Sequence, residues 1–271
     1  MRAYRVAYDG RAYHGFQRQP SVPTVEGALF DALADHGIEF EGAPSKYAAA
    51  GRTDAGVSAL AQTIAFDAPA WLSAQAFTAY LPEDVHVWAS TPVPADFHAT
   101  HHARWREYTY LLHAPSDDPE RRAEIEARLA GEHDFHNLAA ADAGTVRDLS
   151  VRSDRTGEYL RVRVRAGGFP RQLVRRLLAL YDRVLRGERD LAFIDRVLAP
   201  EPLPGPEGFP PAPAYPLVLT GVNYDQSFDT DPEAVEAART VFKRRARADR
   251  TRAAVGRTLQ QGIGGSTGDN P

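Results

Sequence analysis

Residues 104–112 read RWREYTYLL and alternate without a break: Arg106, Tyr108, Tyr110 and Leu112 point one way, Trp105, Glu107, Thr109 and Leu111 the other. Glu158 to Ala166 repeats the pattern, with Leu160, Val162 and Val164 on one face and Arg161, Arg163 and Arg165 on the opposite one. A period of two that is apolar on one side and polar on the other suits antiparallel strands with a single buried face. The three arginines read equally well as a platform for RNA and as the solvated side of an ordinary strand. Tyr108 and Tyr110 have the same two readings: aromatic surfaces on which a base could stack, or core residues.

The other segments interleave helices with strands. Residues 2–8 predict a strand, and YDGRAYHGFQRQ after it is turn-rich. Thr24 is a candidate N-cap for a helix whose stripe is Val25, Leu29, Phe30 and Leu33. Strands are expected at 60–66, where Leu60, Ile64 and Phe66 recur near period two, and at 85–90. A helix is expected over 71–80, stopped by Pro82. Further on, the pattern predicts a charged helix over 119–130 ending at Gly131, a strand at 146–150, a short helix at 190–198 and a last strand at 217–224. Pro170 is placed to open a helix with the buried stripe Leu173, Leu177, Leu180, Tyr181 and Val184. Residues 201–216 form a proline-rich connection, and a basic helix begins near Asp231 and fades into a disordered end. The result is an α+β chain of two mixed units, 1–100 and 101–225, followed by a basic tail, 226–271.

Composition narrows the chemistry. With no cysteine among 271 residues, disulfides and thiolate metal sites are excluded, which fits a cytoplasmic location. The opening MRAYRVAYDG reads as a strand, not a signal peptide, and no apolar run approaches the ~18–20 residues of a membrane span. Net charge is −4, yet residues 161–176 hold six arginines and no acid. Residues 239–257 hold eight basic residues against Asp249 alone. Basic patches on a mildly acidic chain suit an anionic partner, although a charge run is also an ordinary solvated face. His98, His101 and His102 lack strong metal-ligand spacing, and His101 and His102 would face opposite ways on a strand, so no metal is expected. There is no phosphate-cradling glycine loop, no dinucleotide fingerprint and no Gly-x-Ser-x-Gly elbow, and no cofactor is expected.

The segment GRTDAGVSALAQT, residues 51–63, is the densest candidate site. Asp54 can be a nucleophile or general base if it is kept ionised beside Arg52, with Gly51 and Gly56 permitting close approach of a ligand. The same Asp can equally be a turn residue that caps local N–H groups.

Taken together, seven ordered stretches resemble the tRNA pseudouridine synthase A (TruA) family. They are YDGRAYHGFQRQ, TVEGAL, AGRTDAGVSALAQ, DFHA followed by REYTY, GEHDF, FPRQLVR and PLVLTGVNYD, running from about residue 3 to residue 225. The resemblance implies the pseudouridine synthase fold, with an active-site cleft between its two units. It implies isomerisation of uridine to pseudouridine in the anticodon stem-loop of tRNA, at positions 38 to 40, by a cytoplasmic homodimer without cofactor. It makes Asp54 the catalytic carboxylate and Arg52 the residue that helps displace the target nucleotide. Tyr108 becomes the residue that stacks on uracil, Arg175 the partner of the carboxylate, and Leu217 an apolar contact on the base's other face. Arg161, Arg163, Arg165 or the tail would supply phosphate contacts. Departures are Ser58 where the family often has His, Thr100 where it often has Arg, Tyr80 in place of Asn before Leu-Pro, and Pro170-Arg171-Gln172. A silent RNA-binding protein of the same fold, a synthase acting on another RNA site, and a glycosidic hydrolase are the alternatives. The last needs a second carboxylate, for which Glu83-Asp84 is a remote candidate.

Overall fold

The computed structural model describes residues 1–141, 143–204, 208 and 210–263. Its framework is one sheet of ten strands, and every pairing in it but one is antiparallel. The strands are β1 (Arg2–Tyr8), β2 (Ala48–Ala49), β3 (Ser58–Phe66), β4 (Val85–Pro92), β5 (Trp105–His113), β6 (Gly131–Asp134), β7 (Val146–Thr156), β8 (Tyr159–Ala166), β9 (Leu217–Asn223) and β10 (Asp229–Thr230). Their order across the sheet is β10-β4-β1-β3-β9-β5-β8-β7-β6, with β2 on β3. The parallel pair is β3–β9, with Ser58 opposite Val218 and Ala59 opposite Leu219.

Among the described residues six α-helices accompany this sheet: α1 (Val25–Asp35), α2 (Ala74–Thr78), α3 (Pro119–Leu129), α4 (Leu173–Leu185), α5 (Ala192–Leu198) and α6 (Pro232–Gly262). Two buried clusters result. One gathers Tyr4, Val6, Leu29, Phe66 and Phe77 with Leu219, Val222 and Ala234 from the far end of the chain. The other gathers Tyr110, Leu112, Leu160, Val162, Leu177 and Tyr181, and includes Val57. Strand β9 lies on the seam, contributing Leu217 to the second cluster and Leu219 to the first.

The alternation in β5 and β8 is realised as expected: Leu160, Val162 and Val164 are buried, and they pair with Leu112, Tyr110 and Tyr108. Thr24 caps α1 by accepting the Gly27 N–H at 3.2 Å. Other elements depart from the sequence pattern for local reasons. Helix α2 is only five residues long, because Ser73 caps it through the Ala76 N–H at 3.0 Å and Thr78 is tied to β4 through Val87. Strand β7 runs on to Thr156 through polar residues that show no apolar period, carried by pairing with β8 around Gly157 at φ +60°. Helix α4 starts at Leu173, so Pro170 precedes it rather than opening it. Leu60 is 51% exposed instead of sharing the burial of Ile64 and Phe66. His98 to His102 form a turn closed by a 3.0 Å bond between His102 N–H and the His98 carbonyl, not a strand. Strand β10 follows β9, so β9 is not the last strand. Of the expected disordered end, 262–271, Gly262 is the last residue of α6 and Ile263 its C-cap, and 264–271 lie outside the described residues. Among the described residues no helix is long and apolar enough to cross a membrane.

Candidate active site

The loop 50–57 enters β3 on rails supplied by the turn-rich segment after β1. Phe16 N–H donates to the Thr53 carbonyl at 3.0 Å, and Gly56 N–H to the Tyr13 carbonyl at 3.2 Å. The Tyr8 and Thr53 hydroxyls meet at 2.7 Å. Residues 54–57 make a β-turn closed by Val57 N–H on the Asp54 carbonyl at 3.1 Å, with its third residue, Gly56, at φ +79°. A glycine there lets the chain turn sharply enough to project Asp54 from the surface of the loop. Gly10 is needed for another reason: a Cβ at that position would overlap the Val57 carbonyl. The YDGRAYHGF segment therefore shapes the loop mainly through its backbone.

Asp54 opens into a cleft of about 1400 Å3, above the ~300–1000 Å3 of common small-molecule pockets. One wall comes from residues 14–19 and 47–57, the other from Tyr108, Phe169 to Arg175 and Leu217. Across it, Arg175 Nη1 donates to Asp54 Oδ2 at 3.0 Å, a contact between residues 121 apart in sequence. Arg175 is itself aimed by a 2.8 Å bond from Nε to the Ala212 carbonyl. Tyr108 is half-buried, with Phe169 edge-on at 5.4 Å between ring centroids. Burial, opposed by Arg106 and reinforced by the negative charge of Asp54, pushes the Tyr108 phenol up to about 12. Leu217 is buried and lines the same cleft. Arg52 is exposed on the cleft wall and has no side-chain bond or ion pair among the described residues.

The structure thus gathers Asp54, Arg52, Tyr108, Arg175 and Leu217 around one cleft. It does not bring Arg161, Arg163 and Arg165 there. They lie on the sheet face opposite Tyr108; Arg161 and Arg163 pair with Asp154, and Arg165 pairs with Glu107 and covers Trp105 at 4.1 Å. Glu83 and Asp84 are also elsewhere, engaged by Arg244, Arg245 and the Tyr13 hydroxyl. Ser58 accepts the Gly10 N–H at 3.0 Å. Among the described residues no group of three or more His, Asp or Glu side chains is arranged to hold a metal ion.

Sequence reasoning missed several residues. Glu26 in the first turn of α1 is a second carboxylate on the cleft wall, where its Oε2 accepts the Arg18 N–H at 2.8 Å. Gln172, ahead of α4, sits in the left-handed region at φ +62° on the other wall, a conformation costly for a residue with a Cβ. Arg106 is the largest omission. It is buried and donates four hydrogen bonds: two to the Ala50 carbonyl (2.8 and 2.7 Å), one to Thr100 (2.7 Å) and one to Gly167 (2.6 Å). A single guanidinium therefore ties the catalytic loop to the segment that leads to Phe169. Its signal was present in the sequence as a charged residue on the apolar face of RWREYTYLL.

The chemistry of the cleft is that of one carboxylate gripped by a guanidinium beside a phenol and an apolar side chain, on a mixed α/β framework with a large, mostly antiparallel sheet. Residues 126–225, which include Arg175 and Leu217, match the family model described as tRNA pseudouridine synthase. The relatives are more specific. The chain is 55% identical over 275 residues to the tRNA pseudouridine synthase A of Haloarcula marismortui, covering 97% of this chain and all of that one. It is 54% identical over 251 residues to the protein of the same name from Natronomonas pharaonis, covering 91% and 94%. The chain belongs to the tRNA pseudouridine synthase A family. A solved H/ACA ribonucleoprotein bound to a substrate RNA overlaps 65% of this chain and 44% of that one, at 15% identity and a TM-score of 0.35.

Proposed function

We propose that this tRNA pseudouridine synthase isomerises uridine to pseudouridine in the anticodon stem-loop of tRNA, at positions 38 to 40, with Asp54 as its one catalytic carboxylate. The observation that carries the assignment is the 3.0 Å Arg175–Asp54 contact inside a cleft that also holds Tyr108 and Leu217. The reaction breaks the bond between uracil N1 and ribose C1′ and joins C5 to C1′. The proton on C5 leaves and N1 gains one, so nothing is oxidised or added. Asp54 attacks C1′ or takes a proton from C2′; both steps need it as the carboxylate that Arg175 holds. A uridine in a stem reaches Asp54 only after extrusion, at a cost of a few kcal/mol. Arg52, exposed and unpaired among the described residues, is placed to occupy the space left behind. Tyr108 stacks on the freed uracil, worth about 1–3 kcal/mol, with Leu217 as the apolar contact on the base's other face. With its phenol at about 12, Tyr108 stays protonated near neutral pH, so a role in C5 deprotonation requires it to pass on its own proton as it accepts one.

The division into units 1–100 and 101–225 with the cleft at their junction belongs to the same proposal, as do a homodimer and a cytoplasmic location. The two buried clusters support the division in outline, with Leu219, Val222 and Ala234 crossing into the first and Val57 into the second. The test is purified protein with unmodified tRNA, mapping pseudouridine chemically and assaying free uracil. Pseudouridine at 38–40 with no free uracil is expected. Asp54→Asn should lower turnover about 10²–10⁴-fold or more while tRNA binding persists. Equal turnover by variant and wild type removes Asp54 from the mechanism, and free uracil as product makes the enzyme a hydrolase.

A further inference from the structure

Helix α6 has 31 residues, about 46 Å at ~1.5 Å per residue, and only part of it touches the body. Ala234 and Ala238 are buried, and Phe242 meets His86 of β4 edge-on at 5.6 Å. Arg244 then pairs with Glu83, Arg245 with Asp9 (3.1 Å) and Asp84 (3.7 Å), and Asp249 with Arg11 (3.0 Å). Past that clasp every residue from Arg250 to Ile263 is exposed. About 20 Å of helix continues beyond the body, carried by residues such as Ala253, Ala254, Leu259 and Gln260 that favour helix without packing.

The clasp fixes which way the helix faces. Ala238, Phe242, Arg245 and Asp249 turn toward the body, and this sets Arg239, Lys243, Arg247, Arg250 and Arg257 on another side. These five are spaced i, i+4, i+8, i+11 and i+18, which keeps them on one face over five turns. All five are exposed, and none has an ion-pair partner among the described residues. The clasp thus neutralises the acids of the body with Arg244 and Arg245 and leaves the outward stripe without counter-charge.

We infer that this stripe is an arm that binds the phosphate backbone of the tRNA body, away from the extruded nucleotide. The inference rests on the chain acting on tRNA. Charge complementarity selects RNA over a second copy of the chain, since two arms with eight basic residues and one acid over 239–257 repel each other. Among the described residues the large apolar side chains past the clasp are Val255, Leu259 and Ile263 alone. Placement selects the tRNA body. Tyr8 reaches the catalytic loop on one sheet face, whereas its neighbour Ala7 pairs with His86 on the other, where α6 lies. None of the stripe's residues lines the cleft, so RNA held there meets the arm with nucleotides other than the extruded one.

The test compares wild type with a variant carrying Lys243→Gln, Arg247→Gln, Arg250→Gln and Arg257→Gln. A second variant, K243R with R247K, R250K and R257K, keeps the charge. Binding of unmodified tRNA is measured from 50 to 200 mM salt. Each phosphate contact contributes roughly 0.7–0.9 to the slope of log affinity against log salt, so four neutralised residues should flatten it by about 3. Over that fourfold salt range, wild-type affinity should then fall about 60-fold more than that of the neutral variant. The charge-preserving variant should follow wild type, an isolated anticodon stem-loop should bind all three alike, and kcat at saturating tRNA should not change. Coincident tRNA slopes overturn the inference. So does a change in sedimentation with RNA binding intact, which would make a second copy the occupant. If wild type binds with the steeper slope but forms no pseudouridine, the arm stands and the catalytic reading falls.

Discussion

Replacing Arg106 with Met should cost more than removing any other single side chain at the cleft. The guanidinium donates four hydrogen bonds to three backbone carbonyls, at Ala50, Thr100 and Gly167, at 2.6 to 2.8 Å. Methionine fits the space of the stem but leaves those carbonyls without donors. Each orphaned buried acceptor costs about 1–3 kcal/mol, about 3–9 in sum. Against that stands the relief of no longer burying a guanidinium that has no carboxylate partner; burial already pulls the Arg106 pKa down. The net loss should be about 3–5 kcal/mol, a large part of the ~5–15 kcal/mol that holds a typical domain. With a urea m-value near 3 kcal/mol/M, the unfolding midpoint falls by about 1–1.7 M. The second consequence is kinetic. Ala50 is four residues before Asp54 and Gly167 two before Phe169, so one side chain sets the spacing of the cleft's two walls. About 1 Å of slack there is worth ~10²-fold in rate, and Arg106→Lys, which can satisfy only part of the set, should lower kcat more than it changes KM. Urea titration at constant m and steady-state kinetics on unmodified tRNA measure both effects. A midpoint within 0.3 M of wild type together with an unchanged kcat would refute the bridging role.

Other perturbations separate the remaining parts of the site. Arg175→Leu should lower kcat about 10- to 150-fold, the equivalent of a charge-assisted hydrogen bond of ~1.5–3 kcal/mol; single-turnover rates on tRNA test this, and an unchanged rate removes the Asp54–Arg175 pair from the chemistry. Gly10→Ala forces a methyl into the Val57 carbonyl, so stability and kcat should fall together; a neutral outcome in both assays shows that the loop yields at no cost. Tyr108 and Tyr224 are each pushed up to about 12 by burial. A raised pKa means the folded state holds the proton more tightly, so this stabilisation is intact below pH ~10 and drains away between about 10 and 12, at ~1.4 kcal/mol per pH unit for each group. Urea midpoints across that range should fall, and Tyr108→Phe should flatten the fall by one group's worth; an identical slope in the variant argues against the shift at Tyr108.

What could be read from the sequence was whatever local pattern determines. Thr24 as a cap, the buried faces of β5 and β8, and the stripe of α4 follow from periods of 2 and 3.6 and from capping chemistry, and all are present. What could not be read was set by partners distant in sequence. The alternation of β8 separates Leu160 from Arg161 correctly, but nothing in it says that the cleft opens on the leucine side or that Asp154 and Glu107 neutralise the arginines. The extent of β7 depended on β8, not on its own side chains. Arg106 shows how an exception informs: a charge at a position the pattern assigns to the core marks a place where backbone carbonyls need donors.

The same dependence on distant partners explains why the cleft lies where it does. Strand β9 comes from near the end of the ordered body, yet it inserts between β3 and β5 at the middle of the sheet. At its start Val218 pairs with Ser58, directly after the catalytic loop, and Leu217 pairs with Tyr110, two residues from Tyr108. Strands β3 and β5 do not pair with each other, so within the sheet the strand that follows the Asp54 loop reaches the strand bearing Tyr108 through β9, with Arg106 as the direct side-chain tie between that strand and the loop. Among the described residues the one parallel pairing in the sheet places the start of β3 beside the start of β9, and Leu217 lines the wall across from the catalytic loop. Non-local pairing of this kind is slow to form, because a long loop must close before the contacts can form. The site is thus completed only when β9 is in place, and from there the chain runs through β10 into the helix whose clasp on Asp9, Arg11 and Glu83 reaches back to the segment supporting the catalytic loop.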